Sequence, residues 1–262
     1  MKNLMIGLAA IALLVVGPSA FAESDTTHIR VAHLSPDAPN VDVWVDGSVT
    51  LEDVPFQAVS DYLELPAGEH RIQISPAGAT EPIVIDATVD FAAGQAYTVA
   101  ATGLLGDDDL SPIVLQDDLS PTAERAKVRF VHTSPDAPSV DVAVAGGPVL
   151  FSDVVFREAS GYAAVDPATY DLDVRPAGTM DVALNVPGVT FEAGANYTVF
   201  AIGQLSDGTL AALPAVDAQA SVESMSASTD AQSGSGMFGG LTIIAIGLVL
   251  LGAVIGGRML LS

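Results

Sequence analysis

Arg30-Val-Ala-His33-Leu-Ser35-Pro36-Asp37-Ala38-Pro39-Asn-Val41-Asp42-Val43-Trp44-Val45-Asp46-Gly47 returns ninety-nine residues later as Arg129-Phe-Val-His132-Thr-Ser134-Pro135-Asp136-Ala137-Pro138-Ser-Val140-Asp141-Val142-Ala143-Val144-Ala-Gly146, with twelve of eighteen positions identical. After one inserted residue the register continues at an offset of one hundred. Asp53, Phe56, Ser60, Tyr62 and Pro76-Ala-Gly78 recur as Asp153, Phe156, Ser160, Tyr162 and Pro176-Ala-Gly178, and Phe91, Gly94, Tyr97-Thr-Val99 and Gly103 as Phe191, Gly194, Tyr197-Thr-Val199 and Gly203. The chain therefore holds two copies of one domain. Within a copy, Val41, Val43 and Val45 alternate with Asp42, Trp44 and Asp46, and Ile72 and Ile74 with Arg71 and Gln73, which is the two-residue period of a half-buried strand.

Turn signals separate these runs: Ser-Pro-Asp-Ala-Pro, Asp46-Gly47, Pro66-Ala-Gly68, Pro76-Ala-Gly78 and Ala93-Gly94. About seven short strands per copy point to an all-β chain of two tandem antiparallel Ig-like β-sandwich domains. In the first copy the strands are expected near residues 28–34, 41–46, 57–65, 69–75, 82–90, 95–102 and 110–116, and no stretch of either copy reads as a helix. Ser-Pro-Asp-Ala-Pro reads as a hairpin connection, its prolines fixing φ and its Ser and Asp capping nearby amides. Tyr62, Tyr97, Tyr162 and Tyr197 fall in alternating apolar strands and are expected in the sandwich cores.

The ends of the chain carry targeting signals. Lys2, an apolar run and Ala20-Phe21-Ala22 make residues 1–22 a secretory signal peptide. Residues 237–257 are uncharged and long enough to cross a bilayer as a helix, and Arg258 follows, as expected for a cytoplasmic end. The remaining segments are a first domain at 23–116, a polar linker at 117–126, a second domain at 127–214, a flexible Ser/Ala/Gly-rich stalk at 215–236 and a tail at 258–262. The domains are expected as two beads on a short string. The chain is thus read as exported, a single-pass membrane protein with its ectodomain in the periplasm or on the cell surface.

Charge and composition narrow the function. Of 32 acidic residues all lie between Glu23 and Asp230, against seven Lys and Arg in the same span, so the exported part carries 7 − 32 = −25. That repels phosphates and excludes nucleic acid as a partner. The absence of cysteine excludes disulfides, thiolate metal sites and a Cys nucleophile.

The pattern R-x-x-H-x-S-P-D-A-P-x-V-D-V, followed by Y-x-x-x-P-A-G and G-x-x-Y-T-V, resembles the DUF4397 family of exported bacterial and archaeal domains over nearly all of residues 28–213. The resemblance implies a β-sandwich envelope domain and no particular activity. Pro167-Ala168-Thr169-Tyr170 departs from Pro66-Ala67-Gly68-Glu69-His70 of the first copy.

Four sets of residues are candidates for chemistry. His33, Ser35, Asp37 and Asp42, with His132, Ser134, Asp136 and Asp141, include the residue types of a hydrolytic triad, but three residues spaced by two on one segment are poorly placed for the contacts a triad needs, so they are read as structural. Asp107, Asp108 and Asp109, with Asp117 and Asp118, are the carboxylates that could converge on calcium; a solvated acidic surface is the competing reading. Trp44 is a candidate platform for carbohydrate stacking, absent from the second copy, where Ala143 stands. Arg125, Lys127 and Arg129 lie within five residues, with Asp117 and Asp118 as their expected counter-charges. The expected function is non-enzymatic binding or adhesion to an envelope component, a glycan or a protein partner, with no cofactor beyond calcium. The alternatives are a calcium-stabilised adhesion module and a secreted hydrolase using the repeated His and Asp.

Overall fold

The computed structural model describes residues 25–220. The signal peptide at 1–22, the stalk beyond residue 220, the span at 237–257 and the tail at 258–262 lie outside the described residues. Among the described residues no helix is long and apolar enough to cross a membrane.

Each repeat contributes eight strands: β1 (Thr26–His33), β2 (Val41–Val45), β3 (Ser48–Val54), β4 (Leu63–Pro66), β5 (Gly68–Pro76), β6 (Ile85–Phe91), β7 (Ala96–Thr102) and β8 (Ser111–Asp117) in the first, and β9 (Ala126–His132), β10 (Val140–Val144), β11 (Val149–Val154), β12 (Ala163–Val165), β13 (Ala168–Pro176), β14 (Leu184–Phe191), β15 (Ala195–Ile202) and β16 (Ala211–Gln219) in the second. They form four sheets, ordered β4-β1-β7-β8 and β3-β2-β5-β6 in the first repeat, and β12-β9-β15-β16 and β11-β10-β13-β14 in the second. One core lies inside each sandwich. In the first, Ile29, Val31 and Val99 of one sheet meet Val43, Ile72, Ile74 and Phe91 of the other; in the second, Val128, Phe130 and Val199 meet Val142, Leu172, Val174 and Phe191.

A third apolar cluster joins the repeats. Ala32, Leu34, Ala100 and Leu115 of the first pack with Val131, Phe200 and Ile202 of the second. These residues alternate along β1, β7, β9 and β15 with those of the sandwich cores, so the central strands of the two inner sheets are buried on both faces and the layers run outer, inner, inner, outer. All eight residues of β15 are buried. The beads-on-a-string expectation is therefore corrected: the repeats share a packed face within one compact unit. Strands buried on both sides lose the apolar–polar alternation that a single sandwich would impose.

Five further expectations change. The sheets are mixed, since β1 pairs in parallel with β7 and β9 with β15. β3 is not among the expected strands; it follows Asp46-Gly47, whose φ values of 52° and 79° make the two-residue mirror-image turn that suits a tight hairpin. The strand expected at 57–65 shrinks to β4 and a single bridge between Ala32 and Val59. Ser-Pro-Asp-Ala-Pro is no hairpin, because β1 and β2 belong to different sheets and the segment crosses between them. The stalk also begins later than residue 215: Ala215 to Gln219 continue β16, paired with β15.

Candidate functional site

The repeated motif performs the same local work in both copies. His33 and His132 close the inner strands and are buried. The Nε2 of His33 lies 3.0 Å from the Pro39 carbonyl oxygen, and that of His132 2.9 Å from the Pro138 carbonyl. A carbonyl can only accept, so each ring donates from Nε2. Burial lowers the pKa of both rings, with the carbonyls opposing it in part, so they are neutral at ordinary pH.

Asp37 accepts from the backbone N–H groups of Leu105 and Gly106, each at 2.8 Å, and Asp136 from Leu205 and Ser206 at 2.7 and 2.8 Å. Each carboxylate thereby fastens the crossover to the loop between the last two strands. Burial works against ionisation of Asp37, but the amides of Gly106 and Leu105 outweigh it and hold its pKa low. Ser35 and Ser134 hydroxyls lie 3.2 and 3.5 Å from these same aspartates. Asp42 receives the N–H groups of Asp53 and Gly78, both at 2.8 Å, and Asp141 those of Asp153 and Gly178 at 2.8 and 2.9 Å. The structure thus sets the motif histidines and aspartates against backbone and each serine hydroxyl against the aspartate two residues on, which is not the chain of nucleophile, base and acid that a triad needs.

The most concentrated chemistry lies between the repeats, where the sequence pointed only to Asp117, as a calcium candidate and as a counter-charge of Arg129. Arg30 of β1 reaches across to β16 of the other repeat. Its Nη2 pairs with Asp217 and its Nη1 donates to the Val216 carbonyl at 3.0 Å, while Nε donates to Thr98 at 2.8 Å. Arg129 of β9 does the same in reverse, pairing with Asp117 and donating to the Gln116 carbonyl and to Thr198, both at 2.8 Å. Tyr62 donates to Asp117 at 2.6 Å and Tyr162 to Asp217 at 2.7 Å. Each guanidinium carbon lies 4.9 Å from the ring centre of the tyrosine in its own repeat, a cation–π distance. Thr98 and Thr198 complete the set by donating to Asp117 and Asp217. The expected core position of Tyr62 and Tyr162 is thereby corrected: they seal this junction, and burial, with the adjacent aspartate next, raises both phenol pKa values. Tyr197 is buried in its sandwich core, and Tyr97 packs half-buried against the core of the first.

Eight side chains form this network, and the offset of one hundred carries one clue to it in the sequence. Asp117 and Asp217 are in register, but the second of them falls within the expected stalk. A second tie is not duplicated: Arg157, stacked over Phe156, donates to Thr102 Oγ1 and to Asp109 Oδ1, both at 3.1 Å. In the first repeat Gln57 stands at that position.

These contacts settle where the acidic residues lie. Asp117 is buried in the junction, Asp118 pairs with Lys127 at 2.6 Å, and Asp109 pairs with Arg157. The expected counter-charges of Lys127 and Arg129 are found; Arg125 instead pairs with Asp166 at 3.0 Å. Among the described residues, Asp107 to Asp109 and Asp117 to Asp118 do not converge with others into a group that could hold a metal ion. Trp44 lies on the outer sheet, half-buried, its Nε1 donating to the buried Ser75 hydroxyl at 3.0 Å. A groove of about 430 Å³ opens beside the junction, lined by His28, Gln95, Gln116, Asp118, Ser120 and Tyr162 among others.

The chain matches the family described as Domain of unknown function (DUF4397) over residues 27–143 and again over 126–230. It belongs to the DUF4397 family. A comparison with curated proteins returned no match. The two family segments overlap at residues 126–143, one starting just ahead of each copy of the motif, so this DUF4397 chain is a tandem pair.

One titratable group outside the junction distinguishes the first repeat. His70 Nδ1 lies 2.7 Å from Asp46 Oδ2, and its Nε2 lies 2.8 Å from the Pro66 carbonyl oxygen. Both partners accept, so only the imidazolium satisfies both at once. Burial opposes that charge, but the Pro66 carbonyl and Asp46 outweigh it and raise the pKa above the ordinary 6.5. A raised folded pKa means the stabilisation is complete below the unfolded value and lost as pH rises through the folded one. Unfolding midpoints between pH 5 and 8 will fall more steeply for the natural chain than for His70→Gln; parallel curves would show that His70 contributes nothing to the pH dependence.

Proposed function

We propose that this DUF4397 protein is an exported, membrane-anchored protein without catalytic activity, whose paired sandwiches bind an envelope component, a glycan or a protein partner. The cleavable leader at 1–22 and the apolar segment at 237–257 support export and anchoring. The observation that carries the reading is the use of the motif: in both copies the histidine ring meets a proline carbonyl and the aspartate two loop amides. These groups stabilise loops, and a hydrolase would need them free to reach substrate. The shared face between the repeats gives the head a fixed geometry, which favours a binding role because little ordering entropy is lost on contact.

The two outer sheets differ, and specificity is assigned to that difference. Trp44 and Ser75 of the first repeat correspond to Ala143 and to Arg175 of the second, the latter paired with Asp173 at 2.7 Å. Alanine at Trp44 will weaken retention of residues 25–220 on isolated cell envelopes. Alanine at both His132 and Asp136 will lower stability by about 2–3 kcal/mol, from lost charge-assisted hydrogen bonds and a small cavity. It will leave that retention intact at temperatures where the variant is folded. Hydrolysis of an ester or glycoside panel by the natural chain, abolished in that variant, would refute the non-enzymatic reading.

A further inference from the structure

The groove of about 430 Å³ beside the junction draws polar residues from positions that are apolar in the second repeat. Gln95, Gln116, Asp118 and Ser120 correspond, at the offset of one hundred, to Ala195, Val216, Ala218 and Ala220. The fold itself therefore demands no polar group at these places. Asp118 is used to hold the connection between the repeats, whereas the amides of Gln95 and Gln116 and the hydroxyl of Ser120 have no such task.

The groove is open because β8 ends at Asp117, while β16 continues to Gln219. In the second repeat Ala220 donates its N–H to the Gly194 carbonyl at 2.7 Å and lies 3.3 Å from where a Cβ on that glycine would stand. In the first, Ser120 donates its N–H to Asp118 at 2.8 Å instead, and a Cβ on Gly94 would meet nothing within 4 Å. The connection leaves the sheet and becomes the far wall. The second repeat fixes that wall: Lys127 Nζ lies 2.6 Å from Asp118 and 2.8 Å from the Ser120 carbonyl, and Asn196 donates to the Asp118 carbonyl at 2.6 Å. A wall held in place beforehand costs little to order on binding.

The charges around the groove are already answered. Asp117 is taken by Arg129, Tyr62 and Thr98, and Asp118 by Lys127 and the Ser120 amide. His28 lies 3.9 Å from Glu64. No carboxylate is left over for a cation, and no ammonium or guanidinium for an anion. What remains is neutral. Gln116 donates to Gln95 at 2.5 Å, and whichever way the two amides are turned, one NH2 and one carbonyl oxygen stay without a partner among the described residues. Ser120 Oγ is likewise uncommitted.

A free donor beside a free acceptor matches neighbouring hydroxyl groups, each of which can give and receive a hydrogen bond. The volume is that of a small-ligand pocket, and Leu119, 37% exposed at the groove, offers an apolar contact for the C–H face of a sugar ring. A peptide would need pockets for its side chains, and the lining residues provide none. We infer that the groove holds a neutral saccharide unit, its ring hydroxyls bonded to Gln95, Gln116 and Ser120. This rests on the proposed binding role and gives it a ligand class at the inner sheet, at a place other than Trp44.

The test titrates isotopically labelled residues 25–220, which contain both cores and the groove, with glucose, mannose, galactose and N-acetylglucosamine. Glucuronate and acetylalanine methylamide serve as a charged sugar and a peptide. At least one neutral sugar is expected to shift the side-chain NH2 signals of Gln95 and Gln116 and the backbone amides of Asp118 and Ser120 saturably. A Kd on the order of 1 mM is expected, from about a dozen non-hydrogen atoms at ordinary ligand efficiency. Gln95→Ala with Gln116→Val installs the residues of the second repeat, and the Asp118 and Ser120 amides should then report binding weaker by about tenfold or more. A groove that no neutral sugar saturates, that glucuronate or the peptide fills instead, or that binds sugar equally well in the double variant would overturn the inference. Should the neutral sugars leave these signals unmoved while Trp44→Ala still weakens retention on envelopes, the groove assignment falls and the binding role stands. Saturation by a sugar, with retention indifferent to Trp44→Ala, would keep the groove and remove the outer sheet's part.

Discussion

Asp217→Ala will lower the unfolding free energy of residues 25–220 by about 3–5 kcal/mol, the cost of removing the close partner of a buried charge, whose other carboxylate, Asp117, lies 3.8 Å away and is shared with Arg129. Arg30 is 2% exposed and Asp217 5%, so neither the guanidinium nor the hydroxyls of Tyr162 and Thr198 gain water in exchange. Asp117→Ala should cost the same within error, because Arg129 stands in the mirror arrangement. The paired loss is diagnostic. If the repeats were independent, Asp217→Ala would soften only the second; because Arg30 belongs to β1, protection of the first repeat's amides from hydrogen exchange must fall as well. Replacing Arg30 and Asp217 together by methionine and leucine should recover much of the loss, since apolar groups of similar volume leave no charge stranded. Denaturant unfolding checks both, and a single-variant loss under 1 kcal/mol would contradict the buried network.

Gly203→Ala is the second change with a large expected effect. Gly203 has φ of +79°, and a Cβ there would be driven into the Thr209 carbonyl, 2.7 Å from its carbon and closer still to its oxygen. Gly103 is the same position of the first repeat, with φ of +92° and its Cβ directed at the Asp109 carbonyl and the Arg157 guanidinium. Alanine at either site must move backbone, so a loss of about 3 kcal/mol or more is expected. Gly103→Ala should do further damage by displacing Arg157 from its ties to Thr102 and Asp109. Arg157→Ala separates the two effects: in that background Gly103→Ala should cost less than in the natural chain, a non-additivity that thermal unfolding of the four proteins will reveal.

The sequence made parts of this fold legible for physical reasons. β2 and β5 bury one face and alternate accordingly, and their places were readable from Val41, Val43, Val45, Ile72 and Ile74. The inner strands hid their second buried face, because Arg-Val-Ala-His-Leu and Tyr-Thr-Val-Phe-Ala-Ile carry no alternation once both sides are covered. The junction was obscured by charge: Arg30, Asp117 and Asp217 look like surface residues in an acidic chain, and only their partners, up to 187 residues away, explain their burial. Asp217 also sat in a Ser/Ala-rich context that reads as stalk. The motif histidines and aspartates were legible as structural, but their partners were not, since each bonds to backbone that no side-chain pattern announces.

The long reach from Arg30 to Asp217 also bears on the order of events during synthesis. The first described strand is completed by a residue 187 positions later, so until β16 has been made Arg30 has only Asp117 of its own repeat, 3.8 Å from its Nε, and the apolar side of β1 and β7 is without its cover. A growing chain can form the interior of the first sandwich early, yet its inner sheet stays incomplete until nearly all of residues 25–220 exist. Maturation is therefore gated by β16, and a product interrupted before it will present an uncovered apolar face and an exposed guanidinium, features that quality-control machinery can recognise.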